Sequence, residues 1–192
     1  VIAIIKYNGG NVSSVQNALN RFGAESIITD DFELIKNADK VIFPGVGEAS
    51  STMKILKEKG LDQLIPTLKQ PVLGICLGMQ LMCKNNEEGN TVGMGIFDLS
   101  VKKFPAKDIV PHMGWNTISG FNSTIYSGIK EESDVYFVHS FYCELSEDTS
   151  SICDYILPFS ASLQKDNFYA MQFHPEKSGE IGSRLLQNFL KL

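Results

Sequence analysis

The sequence predicts an α/β fold: a central, mostly parallel sheet flanked by helices, joined to a smaller β-rich antiparallel extension, all within one domain spanning residues 1–192. Three observations carry this expectation. Short apolar runs alternate with amphipathic stretches from Val1 to Ile75, as buried parallel strands and crossover helices do. The apolar run Pro71–Ile75 then passes through Cys76 into a helical stretch, Leu77–Met82, with no loop between them. Beyond Asn85 the pattern changes to short strands punctuated by turn residues.

Val1–Tyr7 is nearly all apolar and reads as a strand covered on both faces, and Asn8-Gly9-Gly10-Asn11 reads as a turn. Ser13 or Ser14 is placed to cap a helix that buries Val15, Leu19 and Phe22 and stops at Gly23. Glu25–Thr29 is a second strand, Asp30-Asp31 caps a short helix, and Lys40–Phe43 is a third strand. It runs into Pro44-Gly45-Val46-Gly47, whose glycines permit close approach to a ligand. Two turns of helix follow, broken at Gly60, before the strand Val72–Ile75. In the second half, strands are expected at 96–104, 116–119, 133–138, 142–144 and 152–157. Phe168–Phe173 is the last strand. Ser178–Leu192 is the last helix, with Ile181, Leu185, Leu186 and Phe189 as its apolar stripe.

At 192 residues, 43% hydrophobic and 20% charged, the chain has the composition of a globular protein with one sizeable core. A net charge of -5 with scattered Lys and Arg argues against nucleic-acid binding. No apolar stretch approaches the roughly 20 residues of a membrane span, and Val1–Ile5 runs into Lys6 without a signal-peptide layout, so a cytoplasmic location is expected. The four cysteines, Cys76, Cys83, Cys143 and Cys153, have no metal-site spacing, and neither a metal nor a cofactor is expected. Cys143 and Cys153 fall in strands that can be neighbours, as packed thiols.

The Gly74-Ile75-Cys76-Leu77-Gly78 stretch is a nucleophile elbow in pattern. A residue at so sharp a bend is strained and needs small neighbours, and the bend lifts the Cys76 sulfur to a helix start, where thiolate is favoured. The competing reading is a core cysteine between packing glycines. A nucleophilic thiolate wants a base and a group that orients the base. His174, in Gln172-Phe173-His174-Pro175-Glu176, emerges at a strand end, and Pro175 biases it to extended geometry, so Glu176 points the same way and can fix its tautomer. His112 and His139 have no adjacent carboxylate and read as surface or substrate-contact residues. Met113 and Trp115, in a loop rich in turn residues, read as core or as interface anchors.

The segments Gly74–Gln80 and His174–Glu176 resemble the class I (triad) glutamine amidotransferases, which implies that family's fold. Pro44–Gly47, Pro111–Asn116, Tyr136–Ser140 and His174–Ser178 narrow the resemblance to the branch whose glutaminase subunit feeds a cyclase that makes imidazole glycerol phosphate and aminoimidazole carboxamide ribotide in histidine biosynthesis. The resemblance implies a Cys76–His174–Glu176 triad that hydrolyses L-glutamine, with an oxyanion hole from backbone N–H groups at Val46 and Leu77. It implies a glutamine pocket of Gly45, Gly47, Gln80, Glu87, His139, Ser140 and Phe141, with Glu88 as the alternative to Glu87. It implies a heterodimer with a (β/α)₈-barrel cyclase subunit, contacted through Asn11, Ser14, Trp115, Asn116 and Lys177. The Gly45–Gly47 glycines make a peptide flip cheap, so low glutaminase activity is expected of the isolated chain. Three other readings stay open: a paralogous glutaminase supplying ammonia for amidination of a surface sugar, a cysteine hydrolase of γ-glutamyl peptides, and a catalytically silent binder.

Overall fold

The computed structural model describes residues 1–9 and 11–192, and Gly10 of the expected turn lies outside the described residues. β1 (Ile2–Ile5) is buried at every position and leads to α1 (Val12–Asn20). This helix begins before the serines expected to cap it. Asn11 holds the N-cap position without a side-chain cap bond, and its side-chain NH₂ donates to Glu176. β2 (Ser26–Thr29) follows, then α2 (Phe32–Asn37), capped by Asp31, whose side chain accepts from the Leu34 N–H at 3.0 Å. β3 (Lys40–Gly45) precedes α3 (Ala49–Lys59), which outruns the two turns expected because Glu48 caps it through the N–H groups of Ser50 and Ser51, and it stops at left-handed Gly60. α4 (Leu61–Leu64) is a single turn, and β4 (Val72–Cys76) passes directly into α5 (Leu77–Met82).

The second half consists of β5 (Cys83–Asn86), β6 (Thr91–Val92), β7 (Phe97–Lys103), β8 (His112–Ser119), β9 (Ser133–His139), β10 (Phe141–Cys143), β11 (Thr149–Tyr155), β12 (Leu157–Lys165), β13 (Phe168–Met171) and α6 (Gly179–Leu190). β2-β1-β3-β4-β13 run parallel, and β12, β10, β7, β5 and β6 continue the sheet with antiparallel steps and one parallel β5–β7 pair. β11 leaves this path to pair with β8, and β8 pairs with β9. The expected mostly parallel sheet with an antiparallel extension is therefore present. One apolar core, with Phe43, Leu56, Met82 and Phe97, covers one side of the sheet. The other, with Leu19, Phe137, Phe159, Phe173 and Phe189, lies under α1, α6 and the β8–β9 hairpin.

Three expectations are corrected. The Met113–Asn116 stretch is strand rather than loop: β8 starts at His112, paired in register with His139, and Gly114 at φ 124 carries the ladder through. β5, β6 and β12 were not foreseen, because they are short or carry polar residues. Cys143 does not meet Cys153. Its sulfur lies 3.7 Å from that of Cys83, and all four cysteines are free thiols. Among the described residues no helix is long and apolar enough to cross a membrane.

Candidate active site

The parallel sheet brings three chain segments together at the carboxyl ends of β3, β4 and β13, where open α/β sheets collect ligands. Gly45 is the register partner of Cys76 across β3–β4, and Met171 is the partner of Ile75 across β4–β13. The residues after β13 therefore emerge beside Cys76. Cys76 has φ 54 and ψ -112, a sparsely populated conformation for a residue with a side chain, of the strained kind expected at a nucleophile elbow. The flanking glycines are small because of neighbours as well as the bend: a Cβ on Gly78 would come within 2.0 Å of the Phe43 carbonyl oxygen, and one on Gly74 within 2.4 Å of the Met82 sulfur.

His174 is 1% exposed and held from both sides of its backbone. Its N–H donates to the Tyr136 carbonyl at 3.0 Å, and its own carbonyl accepts from the Ser178 hydroxyl at 2.6 Å. The chain then tightens into a 3₁₀ turn at Pro175–Lys177, so Glu176 reaches the ring through this turn and not along an extended segment. The carboxylate Oε1 lies 2.8 Å from His174 Nδ1 and also accepts from the Asn11 side-chain amide at 3.0 Å. Asn11, expected at a partner surface, thus turns its amide inward onto the carboxylate.

His174 Nε2 is buried and has no hydrogen-bond partner. Burial works against a charge on the ring, but Cys76 and Glu176 overcome it and raise its pKa to about 10. Cys76 is 8% exposed and opens onto a cavity of about 430 Å³ that His174 also lines. Its wall includes Val46, Gly47, Leu77, Gln80, Glu88, Val138, His139, Ser140 and Phe141.

Most residues expected around the substrate are thus gathered on one cavity. Glu87 is not. Its carboxylate turns away and accepts from the Lys103 N–H at 2.7 Å, while Glu88 lines the cavity and accepts from the Ala49 N–H at 2.7 Å. Burial raises the Glu88 pKa.

Of the two readings open for His112 and His139, surface or substrate contact, the surface one is corrected: both are buried, at 4% and 6% exposed, and His139 lines the cavity. They satisfy each other, His112 Nδ1 to His139 Nε2 at 2.9 Å, and His139 Nδ1 donates to the Phe141 carbonyl at 2.7 Å. Burial lowers their pKa values to about 4 and about 3. Gln172, which was not singled out from sequence, places its amide nitrogen 3.7 Å from the Cys76 sulfur.

On the opposite side of Glu176, Trp115 and Met113 are 58% and 62% exposed. Trp115 and Lys177 border a shallow hollow with Arg21 and Arg184, Asn116 is half-buried on β8, and Ser14 is half-buried on α1. Among the described residues no group of three or more His, Cys, Asp or Glu side chains is arranged to hold a metal ion.

This elbow, imidazole and carboxylate on an α/β sheet accompany a match of residues 4–192 to the glutamine amidotransferase class-I family, and the chain belongs to that family. It is similar to the imidazole glycerol phosphate synthase subunit HisH of Bacteroides fragilis (strain YCH46), at 61% identity over 100% of this chain and 99% of that one. The HisH subunit of Shewanella loihica is 44% identical over 98% of this chain and 89% of its own length. Solved structures share the fold. A glutamine amidotransferase superposes with a TM-score of 0.75 at 18% identity, covering 100% of this chain and 97% of its own. PurLQS from Thermotoga maritima superposes at 0.70 and 17%, covering 99% and 97%.

Proposed function

We propose that residues 1–192 form one glutaminase domain, the glutamine-hydrolysing subunit of an imidazole glycerol phosphate synthase, working in the cytoplasm in a heterodimer with a (β/α)₈-barrel cyclase subunit. One observation carries the chemistry: Cys76 at a strained elbow opens onto the same cavity as His174, whose far nitrogen sits 2.8 Å from the Glu176 carboxylate. Full-length identity of 61% to a HisH subunit supports the choice of pathway.

In this reading the Cys76 thiolate attacks the side-chain amide carbon of glutamine, and the negative charge moves to the carbonyl oxygen. Backbone N–H groups at Val46 and Leu77 receive that oxygen. As the C–N bond breaks, protonated His174 gives its Nε2 proton to the departing nitrogen, and ammonia leaves. His174, now neutral, takes one proton from the water that attacks the thioester, the C–S bond breaks with Cys76 leaving as thiolate, and the new carboxyl group gives its proton to the ammonia or to solvent as glutamate is released. Gly45, Gly47, Gln80, Ser140 and Phe141 shape the pocket. Glu88 rather than Glu87 faces the substrate's ammonium group.

Ammonia then passes to the cyclase, across a surface to which Asn11, Ser14, Trp115, Asn116 and Lys177 contribute. Docking stimulates hydrolysis through the Gly45–Gly47 segment. The test is to mix the chain with a candidate cyclase and its ribonucleotide substrate and to follow both products. Glutamine-dependent synthesis that is lost in Cys76→Ala while synthesis from ammonium salts persists is the expected result. No ammonia transfer to that cyclase would overturn the pathway, and full glutamine-dependent activity in Cys76→Ala would overturn the chemistry.

A further inference from the structure

The sulfur of Cys76 has a neighbour that the triad chemistry leaves unused. Gln172 is fully buried, at 0% exposed, although the residues before and after it, Met171 and Phe173, are core apolar side chains. The register that pairs Met171 with Ile75 brings it alongside Cys76, and its Nε2 lies 3.7 Å from Cys76 Sγ. The two ends of an amide are alike in shape, so what it presents to the sulfur depends on its other partners.

Those partners leave one solution. The Phe141 carbonyl can only accept, so the end of Gln80 that lies 3.0 Å from it is the NH₂ group. The same nitrogen lies 2.9 Å from the Gln172 side chain, which must therefore offer Gln80 its oxygen. The Gln172 NH₂ is left facing the sulfur. His139 Nδ1 donates to the Phe141 carbonyl as well, so the group that sets this order is itself held in place.

We propose that Gln172 is a catalytic residue: its side-chain N–H donates a hydrogen bond to the Cys76 sulfur, strongest when that sulfur is anionic, with Gln80 as the positioning residue that aims it. A donor to an ionised group contributes more than one between neutral groups, and here solvent is excluded from it. The bond steadies the attacking thiolate and its direction into the cavity. It also assists when sulfur leaves as an anion from the thioester. This inference rests on Cys76 being the nucleophile, as proposed above.

The test uses the complex of the chain with its cyclase. Labelling of Cys76 is followed with iodoacetamide, which needs no glutamine pocket, beside glutamine hydrolysis. Gln172→Met removes the donor at matched length, and is expected to slow labelling and kcat by about tenfold, the size of one such bond, with KM held within about twofold. Synthesis from ammonium salts reports that the variant folds and docks. If the Met variant does not fold, Gln172→Asn keeps a buried amide but withdraws it by one methylene, and the same loss of labelling is expected. Unchanged labelling in a folded variant would overturn the proposal, and so would a loss confined to KM, which would make Gln172 a wall of the pocket. Failure of the unsubstituted chain to label at Cys76 would instead overturn the assignment of the nucleophile.

Discussion

His174 and His139 both line the cavity around Cys76 and both are buried, at 1% and 6% exposed, yet the two rings are held in opposite charge states. Burial alone drives an imidazole neutral, as it does at His139, whose pKa falls to about 3. His174 meets the same penalty, and the Cys76 sulfur together with the carboxylate of Glu176 reverses it. The partners of the His112–His139 pair confirm its neutrality. Phe141 offers His139 only an acceptor, so His139 Nδ1 carries the hydrogen and its Nε2 accepts from His112 Nδ1. His112 Nε2 is then left to accept from the Asn116 amide at 3.1 Å. A further proton on either ring would face a donor. The comparison teaches that adjacent partners, the Cys76 sulfur first and the Glu176 carboxylate with it, and not depth, decide which histidine of this cavity can give up a proton.

The largest effect is expected from removing that acid. Glu176→Gln keeps the shape and an acceptor for His174 Nδ1 but takes away the charge, so His174 should fall toward the state of His139. Glutaminase kcat in the complex should drop by about 10³-fold, in line with neutralising the orienting acid of a triad, with synthesis from ammonium salts retained. Steady-state glutamate release measures it. A loss of less than about tenfold would break the comparison, because the carboxylate would then not distinguish the two rings.

A smaller effect is expected on stability against pH, and its sign differs between the two regions. The folded chain leaves His112 and His139 unprotonated down to about 4 and about 3, whereas the unfolded chain protonates histidine near 6.5. The unfolded state holds more protons in that window, so stability falls as the pH drops below 6.5. Glu48, held down to about 2 by the Ser50 and Ser51 N–H groups, joins only below its ordinary 4.5, while Glu88, raised by burial, opposes the trend. His174 has the opposite sign: its contribution is fully present below 6.5 and is lost as the pH rises through about 10. Urea midpoints measured from pH 7.5 to pH 5 should decline, and the change in net proton uptake should approach roughly two protons. A flat profile would mean that the pair is not held neutral.

What the sequence disclosed follows the same division. The parallel half was legible because its strands are continuous apolar runs, and the elbow because Gly74, Cys76 and Gly78 stand at the spacing a sharp bend requires, between an apolar run and a helical stretch with no loop. The antiparallel half hid behind polar residues that satisfy one another. β12 buries Ser160 and Ser162, whose hydroxyls bond to Thr149, Ser150, Ser151 and Tyr126, so a core strand reads as polar. His112 and His139 read as surface or substrate-contact residues for lack of a neighbouring carboxylate, and their pairing with each other was hidden because it lies across a strand pair. The choice between Glu87 and Glu88 turned on one residue of register in a loop, set by the Asn86 side chain accepting from the Glu88 N–H, and no local pattern encodes it.

The smallest effect sharpens the comparison by building the missing acid into the second region. In Asn116→Asp a carboxylate replaces the amide 3.1 Å from His112 Nε2, while the oxygen that accepts from the Thr117 N–H at 2.8 Å is kept. The ring then gains a charged acceptor at the nitrogen that was only accepting, and its pKa should rise from about 4 by roughly one to three pH units. Histidine proton resonances followed by NMR titration would read this directly. The acid-side decline in stability should shrink by about one proton, because folded and unfolded states then protonate His112 at closer pH. His174 should keep its own titration, since its carboxylate is untouched. If His112 stayed near 4 with an aspartate at that distance, desolvation would outweigh an adjacent charge in this protein. The elevated state of His174 would then have to come chiefly from the Cys76 thiol rather than from Glu176.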